Sequence, residues 1–184
     1  MDDKKRALLS VYDNTGIERL FGFFYKNDIF MLAPEDTKEK IVKDVIDKRK
    51  GSAELTVYAK YNIRTSLEKK ISAVNSFSRK EGENIIYCNT ASDVFSIGGK
   101  DPDHKIDIVI ANPMQDKYDP EGIDLIAASV HDHPDKTLTV VDPHDYDKVI
   151  EELGKNDLEI CPETKKYLDD KAVKFVKEYK DKFL

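Results

Sequence analysis

Strands that alternate with helices along one uninterrupted chain predict an α/β fold, a three-layer α/β/α arrangement around a mainly parallel sheet with right-handed crossovers. Three stretches carry that reading. In RALLSVYDNTG, from Arg6 to Gly16, an apolar run breaks into a polar turn just where an amphipathic helix can begin. In KIDIVIANP the run from Ile106 to Ala111 suits a parallel strand covered on both faces, and Pro113 stops it. TLTVVDP supplies a last strand whose Asp142 and Pro143 lead into another helix.

At 184 residues the chain suits a single domain that buries a full core without staples. With 40% hydrophobic and 36% charged residues it has the composition of a soluble globular protein rather than a disordered one. The net charge of -6 argues against a nucleic-acid surface, which needs clustered uncompensated cations. An anionic ligand would need a local basic pocket. No apolar run approaches the roughly 18 residues of a membrane span, and the first residues lack the apolar core of a secretory signal. A cytoplasmic protein without membrane contact is the expectation. Cys88 and Cys161 are far apart and lack a metal-type spacing, so two reduced, buried thiols are expected rather than a nucleophile.

Each element follows in order. Leu8, Leu9 and Val11 read as a short buried strand, and Asn14 or Thr15 can cap a helix that turns Ile17, Leu20, Phe21 and Phe24 toward the sheet. Its first turn can hold an anion. Residues 28–32 read as a second strand, and 33–37 as the turn into a helix that runs to about Ile46. A charged turn over 47–52 and an extended segment over 54–59 follow. Leu67, Ile71, Val74 and Phe77 share one face of a helix expected over 66–79. Residues 85–88 form a short strand, and 91–97 a brief helix ended by Gly98 and Gly99. After the central strand, Asp119 stands at an N-cap, Pro120 at the first helical position and Glu121 in the first turn. A strand in TLTVVDP, a helix at about 146–153 and a final helix over 162–183 complete the chain.

Taken together, LLSVYDNTGI, KIDIVIAN and TVVDPHDYDKVIEEL resemble, in the same order, the IMP cyclohydrolase domain of the bifunctional AICAR transformylase/IMP cyclohydrolase. That family begins with a strand ending in a Ser-Val-Ser-Asp-Lys-Thr-Gly turn. It carries an Ile-Asp-Leu-Val-Val-Val-Asn strand and a late Val-Val-Asp-Pro-x-Asp-Tyr segment. PETKKYLDDKAVKFVKEYKDKFL resembles its closing helix. The likeness covers about 5–27 and 105–184. It implies a methylglyoxal synthase-like fold over 1–184, a stand-alone domain without the transformylase half. It also implies ring closure of FAICAR to IMP in purine biosynthesis, with no metal or organic cofactor. The partner would be a purine nucleotide, alongside a homodimer mate or a separate transformylase. The alternative is a non-catalytic member that binds nucleotide or serves assembly, because fold alone does not carry function.

That chemistry needs an anchor for the 5'-phosphate, orientation of the carboxamide against the formyl group, and donors for the developing oxyanion. By the resemblance, Tyr12, Asn14 and Thr15 stand where the family has serine, lysine and threonine, with Gly16 retained. The cation is gone. The family's Ser-Thr-Gly-Gly-Thr turn corresponds to 33–37, where Pro34 has no N–H and Glu35 and Asp36 repel a dianion; Thr37 and the helix N-terminus remain usable. Glu35 and Asp36 read more simply as helix capping.

Arg64 stands for a substrate-binding lysine, with surface charge as its other reading. Asn112 keeps the family's asparagine, Met114 replaces a tyrosine, and Tyr118 is a nearby substitute hydroxyl. Asp119 matches the catalytic aspartate, His131 a lysine and His133 the following histidine. His131 can relay a proton near neutrality but is not a permanent cation. Asp119 also reads as a helix cap, and the histidines as residues of a solvated loop. A metal at His131, Asp132 and His133 lacks a third ligand at a typical spacing. A methylglyoxal-synthase-like lyase would need the same phosphate turn and ranks behind both readings. His104 and His144 have no partner visible in sequence and read as surface residues.

Overall fold

A computed structural model describes residues 4–49, 71–73, 78–81, 84–87, 90–100, 105–131 and 137–184. Its strands are β1 (Arg6–Val11), β2 (Phe30–Ala33), β3 (Ile71–Ala73), β4 (Ser78–Glu81), β5 (Asn84–Tyr87), β6 (Ile108–Asn112) and β7 (Leu138–Val140). The described helices are α1 (Ile17–Lys26), α2 (Glu35–Arg49), α3 (Ala91–Lys100), α4 (Pro120–His131), α5 (Tyr146–Lys155) and α6 (Pro162–Phe183). Five strands form one sheet in the order β3-β2-β1-β6-β7, and every pairing in it is parallel. The chain is thus an α/β protein with three layers.

Alternation along β1 divides the core. Ala7, Leu9 and Val11 pack with α1, α2 and α5, whereas Leu8 packs with α3, α4 and α6. Every residue of β6 is buried, which is why 108–111 reads as a continuous apolar run. Ile17, Leu20, Phe21 and Phe24 turn inward as the helical spacing predicts. After β1 the chain moves outward through β2 to β3, then returns to lay β6 on the other side of β1. That reversal opens a crevice at the carboxyl ends of β1 and β6, the place where open parallel sheets take ligands.

Several expectations are corrected. Where residues of the helix expected over 66–79 are described, they are extended instead: Ile71–Ala73 pairs with β2, and Ser78–Glu81 forms an antiparallel pair with Asn84–Tyr87. Helical spacing of apolar residues is overridden here because Ile71, 1% exposed and in register with Met31, is buried by extending the sheet. α1 is capped by Gly16 at φ +72°, without a side-chain bond from Asn14 or Thr15; the Asn14 carbonyl accepts the Ile17 N–H instead. α3 continues through Gly98 and Gly99 to Lys100, and α2 runs on to Arg49 through the start of the expected charged turn. β2 begins at Phe30, because Asp28 adopts φ 56°. Cys161 is a free, half-buried thiol at the start of α6. The extended segment expected over 54–59, with Arg64, Cys88, His104 and His133, lies outside the described residues. Among the described residues no helix is long and apolar enough to cross a membrane.

Candidate ligand crevice at the carboxyl edge of the sheet

Asn112, the last residue of β6 and 6% exposed, shapes the crevice. Its side-chain oxygen accepts the N–H groups of Tyr12 and Asp13, both at 2.8 Å, and its amide nitrogen donates to the Asp13 carbonyl at 3.0 Å. The second amide proton faces the Tyr146 hydroxyl at 3.5 Å. An amide has two donors and one double acceptor, so Asn112 is taken up by the chain itself. It builds the wall rather than offering a free amide to a substrate.

A cavity of about 140 Å³ opens beside it. Thr37 enters from the first turn of α2, 2% exposed, its hydroxyl accepting the Val11 N–H at 3.3 Å. Lys40 lies one turn further along the same face of α2, with its ammonium 5.1 Å from the centre of the Tyr12 ring and 3.8 Å from Asp36. Asp119 enters from the start of α4. One of its oxygens accepts the Gly122 N–H at 3.0 Å, the N-cap bond its position predicts; the other lies 3.4 Å from the Met114 nitrogen. Glu121 also lines the cavity and accepts the Ala91 N–H at 3.1 Å, tying α3 to α4. Among the described lining residues, the carboxylates of Asp36, Asp119 and Glu121 therefore outnumber the ammonium of Lys40.

A larger cavity of about 330 Å³ lies on the other side of Tyr12 and Asn112, toward β7 and α6. Lys171 on α6 reaches Asp142 at 2.7 Å and Asp145 at 2.6 Å. Burial pushes the Asp142 carboxyl up, but hydrogen bonds from Lys171 and His144, with the Lys171 charge, outweigh it and bring the group to about 2. The same carboxylates raise Lys171 against the effect of burial. His144, expected to lack a partner, sits with its Nδ1 2.8 Å from Asp142, although it is largely exposed.

Of the residues singled out from sequence, Tyr12, Thr37, Asn112 and Asp119 line one cavity. Asn14, Thr15 and Gly16 do not line either cavity: the Thr15 N–H bonds Asp13 at 2.9 Å, and Gly16 packs toward Arg19 and Tyr146 on the α1 and α5 side. Tyr118 lies against the rings of Tyr179 and Phe183 at 6.3 and 6.4 Å, and Met114 itself lines the small cavity. His131 ends the twelve-residue helix that Asp119 begins, so a rise of about 18 Å along the axis separates them. One small ligand cannot touch both. Among the described residues no cluster of histidine, cysteine and carboxylates can hold a metal.

Lys40 escaped notice in the sequence because a charged residue in a charged helix looks like solvated surface, and Glu121 reads there only as a first-turn acid of its helix. The spacing Thr37-x-x-Lys40 was the available signal, since it places both on one helical face.

A parallel α/β/α fold with a polar crevice at its switch point defines a broad class of open-sheet α/β proteins. Within that class, the chain is similar in structure to ForH, known from a crystal structure, with a TM-score of 0.64 and 17% sequence identity; 96% of this chain and 93% of that chain are covered. At that identity the likeness establishes the fold. No protein-family model and no curated protein matches the sequence.

Proposed function

We propose that the chain is an IMP cyclohydrolase-type protein that closes FAICAR to IMP. The reading is supported by one observation above all: Thr37 and Lys40 of α2 and Asp119 at the start of α4, some eighty residues apart in sequence, line a single small cavity at the carboxyl edge beside β1. In that reaction the carboxamide nitrogen adds to the formyl carbon, a proton passes to the formyl oxygen, and the resulting carbinolamine loses water. Asp119 accepts a carboxamide N–H and orients the nitrogen, while Lys40 and the Thr37 hydroxyl face the oxygen on which charge develops. Lys40 thereby supplies a cation that the first turn lacks. Such a protein is a hydrolase of cytoplasmic purine biosynthesis, working as a homodimer or beside a separate transformylase.

A second reading, nucleotide binding without turnover, is favoured by the distance of His131 from Asp119 and by the internally satisfied amide of Asn112. Incubation with FAICAR separates the two. Ring closure gives IMP absorbance, and Asp119→Asn lowers the rate about 100-fold or more while IMP still binds. A folded protein that binds IMP but leaves FAICAR unchanged is a binder. One that does neither overturns both readings.

A further inference from the structure

The larger cavity is not used by the reading above, and its chemistry differs. Lys171, Lys174, Phe175 and Glu178 fall at i, i+3, i+4 and i+7 of α6 and so form one face of that helix along the cavity wall. Phe175 is held in place by stacking on Tyr179, with centroids 5.9 Å apart and planes 23° from parallel. Val141, 4% exposed, and the rings of Pro113 and Pro143 complete flat apolar walls, with Tyr12 between this cavity and its smaller neighbour. Its volume of about 330 Å³ is at the lower end of small-molecule sites, which begin at roughly 300 Å³.

Charge decides what kind of ring fits. Lys171 is committed to Asp142 and Asp145, and Lys174 lies 3.6 Å from Glu178. Asp13 adds a further carboxylate to the lining. Acceptors are thus in excess, and among the described residues that line the cavity no cation is left uncompensated to meet a phosphate. We propose that this cavity is a binding site for a flat, uncharged heteroaromatic ring with N–H donors along its edge, of the kind an amino-substituted nucleoside base presents, and that it discriminates against a phosphorylated form. Apolar walls and aromatic faces take the ring, and the carboxylates of Asp13 and Glu178 accept its donors.

The test uses the full chain labelled with nitrogen-15, titrated with adenosine and separately with AMP. Adenosine shifts the amide resonances of Val141, Lys174 and Phe175 and saturates near the millimolar range, and AMP binds no more tightly. Phe175→Leu weakens adenosine about 10-fold. Glu178→Lys, on an exposed position that leaves the core untouched, reverses the preference so that AMP binds about 5-fold or more tightly than adenosine. The proposal is overturned if adenosine shifts none of these resonances, if its shifts are confined to Thr37, Lys40 and Asp119, or if AMP is preferred by the unaltered chain. Because the readout is local to α6 and β7, it holds or fails separately from FAICAR turnover.

Discussion

The N–H of Tyr12 is shared between the two oxygens of Asn112, 2.8 Å from the side-chain oxygen and 3.0 Å from the backbone carbonyl. The end of β1 and the end of β6 are therefore locked together at the point from which both cavities open. Asn112→Ala removes the side-chain acceptor from Tyr12 and Asp13 and the donor from the Asp13 carbonyl. With two net hydrogen bonds lost and the Asp13 N–H left without its acceptor, the expected cost is about 2–3 kcal/mol. Urea unfolding measures it, and amide exchange at Asp13 should quicken in the same variant. An unchanged midpoint would mean that the two loops hold their shape without the amide.

Gly122 explains why the first turn of α4 carries a glycine where alanine would favour the helix. A Cβ added there meets the Pro113 Cβ at 2.8 Å and an Asp119 oxygen at 2.9 Å. The proline ring has little freedom to yield, so Asp119 is the group displaced. Gly122→Ala should gain about 1 kcal/mol of helix propensity and lose more through overpacking, for a net loss of about 1–2 kcal/mol. If the proposed function holds, IMP affinity falls as well, since the cap and the cavity wall share that carboxylate. A thermally stabilised variant with intact affinity would contradict this account.

Lys171 fastens α6 to the end of β7, and acid should reveal it. Asp142 is depressed to about 2 from 3.8, so its contribution is present above about pH 4 and is lost as the pH falls through 2. With both partners about 30% exposed, that contribution is about 1–2 kcal/mol after allowance for screening. Lys171→Met additionally leaves the buried carboxylate of Asp145 with only the Tyr167 hydroxyl at 3.1 Å. The expected cost is about 3 kcal/mol at pH 7. Denaturant titrations of both proteins from pH 7 to pH 2 should show the gap between them closing in acid; a constant gap would assign the loss to packing of the lysine stem.

The sheet is legible where burial on both faces leaves unbroken apolar runs, as in β1 and β6, and where capping chemistry is local, as at Asp119 and Pro120. Ile71 misleads because its spacing from Leu67 and Val74 is helical, while its place is decided by Met31, forty residues away in the chain. The candidate site divides in the same way. Thr37 and Asp119 are recognisable because each opens a helix after a strand, and the topology then brings those helix starts to one edge. His131 is recognisable as a residue type but not as a position, because nothing local in a sequence says that the far end of the same helix lies at the opposite edge. Nor does composition reveal that Asn112, which looks like a substrate donor, spends its hydrogen bonds on the backbone.

Tyr179 offers a sharper test of how the C-terminal helix bears on Asp119. Its hydroxyl accepts the Asp119 N–H at 2.9 Å and faces the carbonyls of Met114 at 2.7 Å and Lys117 at 3.0 Å, while its ring packs between Phe175 and Phe183. One phenol thus holds three points of the loop between β6 and α4, and it is 3% exposed. Burial raises the group, with the Asp119 N–H opposing, so the neutral form is favoured. Tyr179→Phe keeps every ring contact and deletes only the oxygen. The Asp119 N–H then loses its acceptor, at a cost of about 1–3 kcal/mol. Faster amide exchange should appear at Asp119, with the core of β1 and β6 protected as before. A loop held by its own turn geometry would instead keep the exchange rate of Asp119 unchanged. If the proposed chemistry at Asp119 depends on its orientation, the same variant also loses affinity for IMP, and a variant whose loop loosens without that loss separates the strap from the site.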